Sequence, residues 1–351
     1  MCHLLGITPA PNNGTWSTVS DMLVNWNSPN GDANGAMDLN GIILTNLGVH
    51  CENHGFVGNY MYDIKHKEKF LIWRNKPTIY NTYWWEDAEP VWITAMKQGK
   101  RAYMYRWCGC EVMIEGRNAT YCKKYVSLPP ISELGTDIDD AIRELKSNNA
   151  DLVALYAEMS DFVGHSYGPN SKEIENVIVG FDKQFQHLMT SLATEGLADD
   201  VNVIIVSDHG MAEVSPSRVI NLTTDINMND VDEILDSGSV VNIWPKQGKV
   251  DKVYQDLKRM KHPHLQVFKK QEIPERWHLK RHYRTPPIFL VADVGWYIAT
   301  HPSLIHFKVN FGVRPFANVH VYQLMCHLLG IKPAPNNGTW STVSSMLTSI
   351  Y

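Results

Sequence analysis

Four short apolar runs stand between polar stretches of the chain: "AYMYRW" (102–107), "DLVALYAE" (151–158), "VNVIIVSD" (201–208) and "PIFLVAD" (287–293). The last three end on an acidic residue. Runs of this length predict strands, and continuous apolarity without strict alternation predicts burial on both faces of a parallel sheet. The stretches between them carry a longer period. In "TDIDDAIRELKS" (136–147), Ile138, Ile142 and Leu145 recur at helical spacing behind an acidic first turn. "SKEIENVIVGFDKQFQHLMTSLATEGL" (171–197) predicts a long helix closed by Gly196. Strands alternating with helices predict an α/β sandwich.

That pattern begins only near Val49. Residues 25–46, "NWNSPNGDANGAMDLNGIILTN", are rich in Asn and Gly and carry no period before "GIIL", which is linker composition. Residues 1–24 repeat residues 325–348 with three differences, Thr8 for Lys332, Asp21 for Ser345 and Val24 for Thr348. The copies are too similar, and the chain between them too unlike either, for a structural repeat. The expectation is a duplicate of a domain's tail (1–24), a linker (25–46) and one domain over 47–348.

Composition narrows the partners. Hydrophobic residues make up 44% and charged residues 20% of 351, as in a globular protein, and the net charge of −5 offers nothing to nucleic acid. No apolar run reaches the length of a membrane span. Six cysteines and the Asn-x-Ser/Thr triplets at Asn13, Asn118, Asn221 and Asn337 point toward secretion, although the first residues lack the basic start and apolar stretch of a secretory signal. Cys110 and Cys122 bracket a short loop that a disulfide would close in an oxidising compartment, and would be free thiols in the cytosol.

The chemistry sits at the ends of two runs. "EMSDFVGHSYGP" (158–169) carries Asp161 and His165, and "SDHGM" (207–211) carries Asp208 and His209. Sites in open α/β sheets lie at the carboxyl ends of the strands. Carboxylate with imidazole suits zinc better than magnesium. Two such half-sites suggest a two-metal hydrolase. Taken singly, an i, i+4 polar pair or a capping Asp beside a surface His would explain either one.

Five segments carry a resemblance: "GFVGNYMYD" (55–63), "DFVGHSYGP" (161–169), "VIIVSDHGM" (203–211), "VVNIWPKQGK" (240–249) and "LMCHLLGIKPAPNNGT" (324–339) resemble the ectonucleotide pyrophosphatase/phosphodiesterase family over roughly residues 48–298 and 308–348. "AYMYRWCGCEV", "ATYCKKY" and "NNGTWSTV" are similar to its choline-specific glycerophosphodiester phosphodiesterase branch. The resemblance implies an alkaline-phosphatase-like α/β/α sandwich with a mostly parallel central sheet, two zinc ions, and an extracellular or cell-surface location. It implies that choline glycerophosphodiesters and lysophosphatidylcholine are cleaved to phosphocholine. Asp208 and His209 would hold one zinc, Asp161 and His165 the other. Around the quaternary ammonium, Tyr156, Trp92 and Trp107 would supply aromatic faces and Asp140 the charge, although Trp92 and Trp107 also read as core aromatics and Asp140 as a helix-start acid.

Two departures from the family pattern stand out. The family's first strand carries a metal-binding Asp, and a Thr or Ser nucleophile follows. Here "LTNLGVHCENHG" resumes the pattern only after that nucleophile, and Thr45 falls in the later part of the motif. The N-terminal part of the domain is therefore expected to be missing. After "ADVGWYI" (292–298) the family has a His-Gly-Tyr-Asp segment; this chain reads "ATHPSLIHFKVNFG", where His301 and His306 lack that context. With two side chains left per metal, slow or absent turnover is expected. The competing readings are a non-catalytic choline- or partner-binding protein and a nucleotide pyrophosphatase.

Overall fold

In the computed structural model, residues 48–72, 77–223, 225–300 and 319–344 are described. Residues 1–47, which hold the tail duplicate, the whole linker, Asn13 and Thr45, lie outside them, as do His301 and His306. A short helix α1 (Cys51–His54) precedes the hairpin β1 (Tyr60–Asp63) and β2 (Glu68–Leu71). Helix α2 (Val91–Lys97), strands β3 (Ala102–Tyr105) and β4 (Tyr121–Lys123), and helix α3 (Ile131–Lys146) follow. Next come β5 (Leu152–Leu155), α4 (Met159–Tyr167), α5 (Lys172–Thr194) and β6 (Val219–Asn221). The remainder is β7 (Val231–Leu235), β8 (Val240–Pro245), α6 (Val250–Arg259), β9 (Leu265–Lys269), β10 (Ile288–Ala292), β11 (Tyr297–Ala299), α7 (Val319–Leu328) and α8 (Trp340–Val343).

Parallel pairing occurs in two ladders, β4–β3–β5 and β11–β6. β3 and β5 form where "AYMYRW" and "DLVALYAE" predict strands. The predicted long helix is α5. Its Ser171 side chain accepts from the Ile174 amide, which satisfies one of the unpaired first-turn donors, and Gly196 follows its end at φ 72°. α3 begins several residues ahead of the predicted start, at Ile131 behind Pro130. It buries Ile138 and Ile142 against Leu192 of α5, so the spacing read from the sequence selects the buried face.

Two runs depart from expectation. "PIFLVAD" forms β10, but in an antiparallel sheet of order β7–β8–β10–β9. All five β10 residues are buried. A central strand covered on both faces reads the same whichever way its neighbours run, so apolarity alone does not distinguish the two. The second is "VNVIIVSD". Residues 201–207 carry no strand pairing, and Ile204 and Ile205 are 37% and 55% exposed. An apolar run becomes a buried strand only where a ladder partner and cover are both present; here Val201 and Val203 rest on the Ile138–Ile142–Leu192 cluster, but among the described residues no ladder partner is supplied.

The core is divided. One cluster gathers Phe56, Trp84, Trp85, Trp92 and Met104 with Tyr322 and Cys326 of α7, which brings the first and last described segments together. A second fills the antiparallel sheet, around Val241, Ile243, Ile288 and Leu290, under Val253 and Leu257 of α6.

Candidate active site

Helix α4 starts four residues after β5 ends, so its first turn stands at the carboxyl end of that strand. Asp161 lies in this turn and His165 one turn later, on the same helix face. His165 Nε2 is 3.2 Å from Asp161 Oδ1. The loop after residues 201–207 brings His209 to the same atom, with Nε2 3.6 Å from Asp161 Oδ1 and 3.6 Å from Asp208 Oδ2. His165 and His209, from two distant segments, therefore meet at one Asp161 oxygen, with Asp208 against the His209 ring. Gly164 makes the approach possible: a Cβ there would lie 2.3 Å from Met211 Sδ, so the loop packs directly on the α4 backbone.

The local bonding suits a cation. His209 Nδ1 lies 2.7 Å from the Gly210 carbonyl, which can only accept, so this nitrogen carries a proton and the ring is held with Nε2 toward the carboxylates. Asp161 Oδ1 is buried and receives no hydrogen bond, despite the two imidazoles beside it. An orphaned carboxylate oxygen facing two ring nitrogens is a donor set for a divalent transition metal. The residues fit two half-sites rather than one closed site. Among the described residues, the one group whose three ligand atoms lie within 4.8 Å of each other is Cys110, Glu111 and Cys122, and its sulfurs are already joined in a disulfide.

Glu158, missed in the sequence reading, belongs to this corner. It is the last residue before α4, is 3% exposed, and has a buried Oε1 without a partner. Burial raises its pKa against the pull of a hydrogen bond with Tyr125, and Asp161 and Asp208 raise it further. The signal was its position, an acid ending an apolar run three residues ahead of Asp161, but a lone Glu at a helix start usually reads as a first-turn acid.

The four head-group residues do not form one box. Tyr156, partly buried, lines a recess of about 10 Å³ with Arg106, Asp137 and Glu158, room for about one water. Its phenol is held far above its ordinary pKa by burial and then by Glu158, Asp208 and Asp161. Asp140 accepts from the Tyr105 hydroxyl at 2.7 Å and pairs with Arg143. Trp92 is 1% exposed on the buried face of α2 and offers no ring face to a ligand, as its helical core position dictates. Trp107 is partly buried against the same core. The cysteine pair is bonded, Cys110 to Cys122. Asn118 and Asn337 are exposed, and Asn221 is partly buried with its side-chain oxygen accepting from Thr223.

A fold with metal-type carboxylates and imidazoles at a β5–α4 corner invites comparison with known phosphodiesterases. The family model "Type I phosphodiesterase / nucleotide pyrophosphatase" matches residues 46–311, and the chain belongs to the ectonucleotide pyrophosphatase/phosphodiesterase family. It is 34% identical over 326 residues to the bis(5'-adenosyl)-triphosphatase enpp4 of Xenopus laevis, covering 86% of this chain and 70% of that protein. Family member 5 of Homo sapiens is 34% identical, with 86% and 67% covered, and member 7 of Homo sapiens 33%, with 86% and 72% covered. The structure of murine member 5 superposes with a TM-score of 0.79 at 31% identity over 90% of each chain, and an inactive threonine-to-alanine variant of it in complex with AMP does so at 0.79 and 30%. The fold is thus the alkaline-phosphatase-like α/β fold of that family.

Proposed function

We propose that the chain is a zinc-binding phosphodiesterase-type domain that takes choline glycerophosphodiesters and lysophosphatidylcholine and turns them over slowly if at all. The observation that carries the reading is the convergence of His165, His209 and the unbonded Asp161 Oδ1, with Asp208 beside them. Asp161 with His165 and Asp208 with His209 would each hold one ion. Bound zinc would polarise a phosphoryl oxygen and activate the attacking group. The chain's own residues do the rest. The Gly210 carbonyl orients the His209 ring. Tyr156 offers an aromatic wall for a quaternary ammonium, provided its water-sized recess widens. Two side chains per ion fall short of the usual three plus water, which supports slow turnover. Exposed Asn118 and Asn337 and the disulfide support an extracellular, glycosylated product. Residues 1–24 and 25–46 are read as a tail duplicate and linker ahead of the domain.

The second reading, a nucleotide pyrophosphatase, is favoured by the relative named a bis(5'-adenosyl)-triphosphatase and by the AMP complex of murine member 5. One experiment separates them. Zinc content and hydrolysis of nitrophenyl phosphocholine and nitrophenyl thymidine monophosphate are measured on the same preparation. The expected outcome is bound zinc that falls in Asp161→Asn and Asp208→Ala, with a weak preference for the choline ester. A nucleotide preference selects the second reading. Zinc binding with neither hydrolysis selects a non-catalytic binder, and a fast zinc-dependent rate lost in Asp208→Ala refutes the slow turnover.

A further inference from the structure

A second cavity shares no residue with the corner just described. It measures about 330 Å³ and lies between the end of β8, the first turn of α6 and the end of β9. Val250, Pro287 and the rings of Trp244 and Tyr283 make its walls apolar. Its charges do not cancel. Lys269 pairs with Asp251, Nζ to Oδ1 2.5 Å, and both line the cavity. Lys270, partly buried beside them, donates to the His282 carbonyl at 2.5 Å and has no carboxylate partner among the described residues. Burial alone lowers its pKa, with no acid opposing. A half-buried cation without a counter-ion is costly, so an anion entering here gains more than it would at the surface.

Two further donors face the same need. Trp244 is 3% exposed, and its indole N–H has no acceptor. The N-cap of α6 is Lys249, whose side chain makes no capping bond, so the first-turn amides around Val250 and Asp251 have no side-chain acceptor from the cap. Among the lining residues, the buried group without a partner, the Trp244 N–H, is thus a donor, and the charge without a counter-ion, Lys270, is a cation.

We infer that this cavity binds a small organic anion: an apolar body carrying one carboxylate, with the carboxylate on Lys270 and the body against Trp244 and Tyr283. Its volume is at the low end for ligand sites, enough for a short acyl chain or a single aromatic ring. Both shared elements, charge and apolar body, are required, so neither a bare anion nor a neutral amphiphile satisfies it.

The test uses octanoate, octanol and acetate on the full chain, read by titration calorimetry and by the thermal midpoint. Octanoate is expected to bind saturably and to raise the midpoint, with octanol and acetate each at least about tenfold weaker, the scale of one charged hydrogen bond. Lys270→Met, which replaces an unpaired cation with an apolar chain of similar length, is expected to keep its own midpoint and lose octanoate by at least about tenfold. Trp244→Phe keeps a ring and loses the N–H, and is expected to weaken octanoate several-fold, while exposed Lys246→Met changes nothing. Octanoate binding no better than octanol or acetate overturns the inference in the unmodified chain alone, whatever the variants do. Undiminished binding by Lys270→Met overturns it as well.

Discussion

At the scale of single residues, the strongest polar node lies away from the candidate site. Arg284 and Asp63 are both 0% exposed and pair at 2.9 Å, Nε to Oδ2. The Tyr283 hydroxyl donates to the same oxygen at 2.6 Å, and the guanidinium also reaches the Tyr83 and Trp84 carbonyls. Burial alone would raise the Asp63 pKa, but the Tyr283 and Arg284 hydrogen bonds outweigh it and hold the carboxyl below its ordinary range. Beside the node, burial first and then His282, His50 and Arg284 push His54 down to about 3. Both folded-state values are depressed, so the unfolded chain binds more protons in acid. The His54 contribution is complete above about pH 6.5 and erodes as pH falls toward 3; the Asp63 contribution is complete above about pH 4 and erodes below it. Urea unfolding in pH steps is expected to show two arms of acid loss. His54→Asn, which keeps an acceptor for the Phe56 amide, flattens the upper arm. Asp63→Asn flattens the lower arm and costs about 3–5 kcal/mol at pH 7, because it strands a buried guanidinium. Unfolding free energies that do not change between pH 7 and pH 4 would contradict the His54 assignment, and no loss below pH 4 would contradict that of Asp63. The node was illegible beforehand although Asp63 ends a motif noticed in the sequence, because its partner lies 221 positions away. Asp161, His165, Asp208 and His209 could be picked out as candidates in the sequence, because two residue types that share a chemistry stood at the ends of two apolar runs.

At the scale of elements, legibility followed cover. The spacing of Ile138 and Ile142 named the buried face of α3, and Ser171 and Gly196 bounded α5 correctly. The segment 201–207 misled because composition records what a strand would bury and says nothing of whether a neighbour is there. Hydrogen exchange is expected to separate it from its neighbours: the amides of residues 202–206 exchange far faster than those of β3, which pairs on both sides. Equal protection would mean that a ladder forms there in solution. The disulfide closes the segment between β3 and β4, with its cysteines 12 positions apart. A double Cys110→Ala, Cys122→Ala variant is expected to lose roughly 2–4 kcal/mol of stability by denaturant titration. A loss well under 1 kcal/mol would mean that the β3–β4 pairing already fixes this loop.

At the scale of the whole molecule, the alternation of strands and helices was enough to assign an α/β fold, and the motifs were enough to assign the family. The division into parallel ladders and a separate antiparallel sheet was not legible, since a run buried on both faces carries no mark of its neighbours' direction. The site corner joins α4 to a loop that arrives on an unpaired segment, with Met211 resting on Gly164 as one of its contacts. An ion gripped from both sides would staple these two units. Added zinc is therefore expected to raise the thermal midpoint, by about 1–2 °C for each kcal/mol of binding free energy gained in a chain of this size. The shift should vanish with EDTA and in His209→Ala, and a zinc-independent midpoint would show that the corner holds no ion.

The Arg284–Asp63 pair has one more consequence, for the order in which the protein is made. A ribosome releases Asp63, with the Trp84 ring on which Arg284 lies at 4.9 Å, long before Arg284 exists. At about 5–20 residues per second, the 221-residue gap is a wait of roughly 10–40 s. Throughout it, the first hairpin and its aromatic neighbours have neither their counter-charge nor the Tyr322 and Cys326 side chains that complete their core. The nascent N-terminal half thus keeps this unfinished surface through the whole interval, and a codon change that slows translation between the two residues lengthens that exposure without altering a single contact in the finished fold.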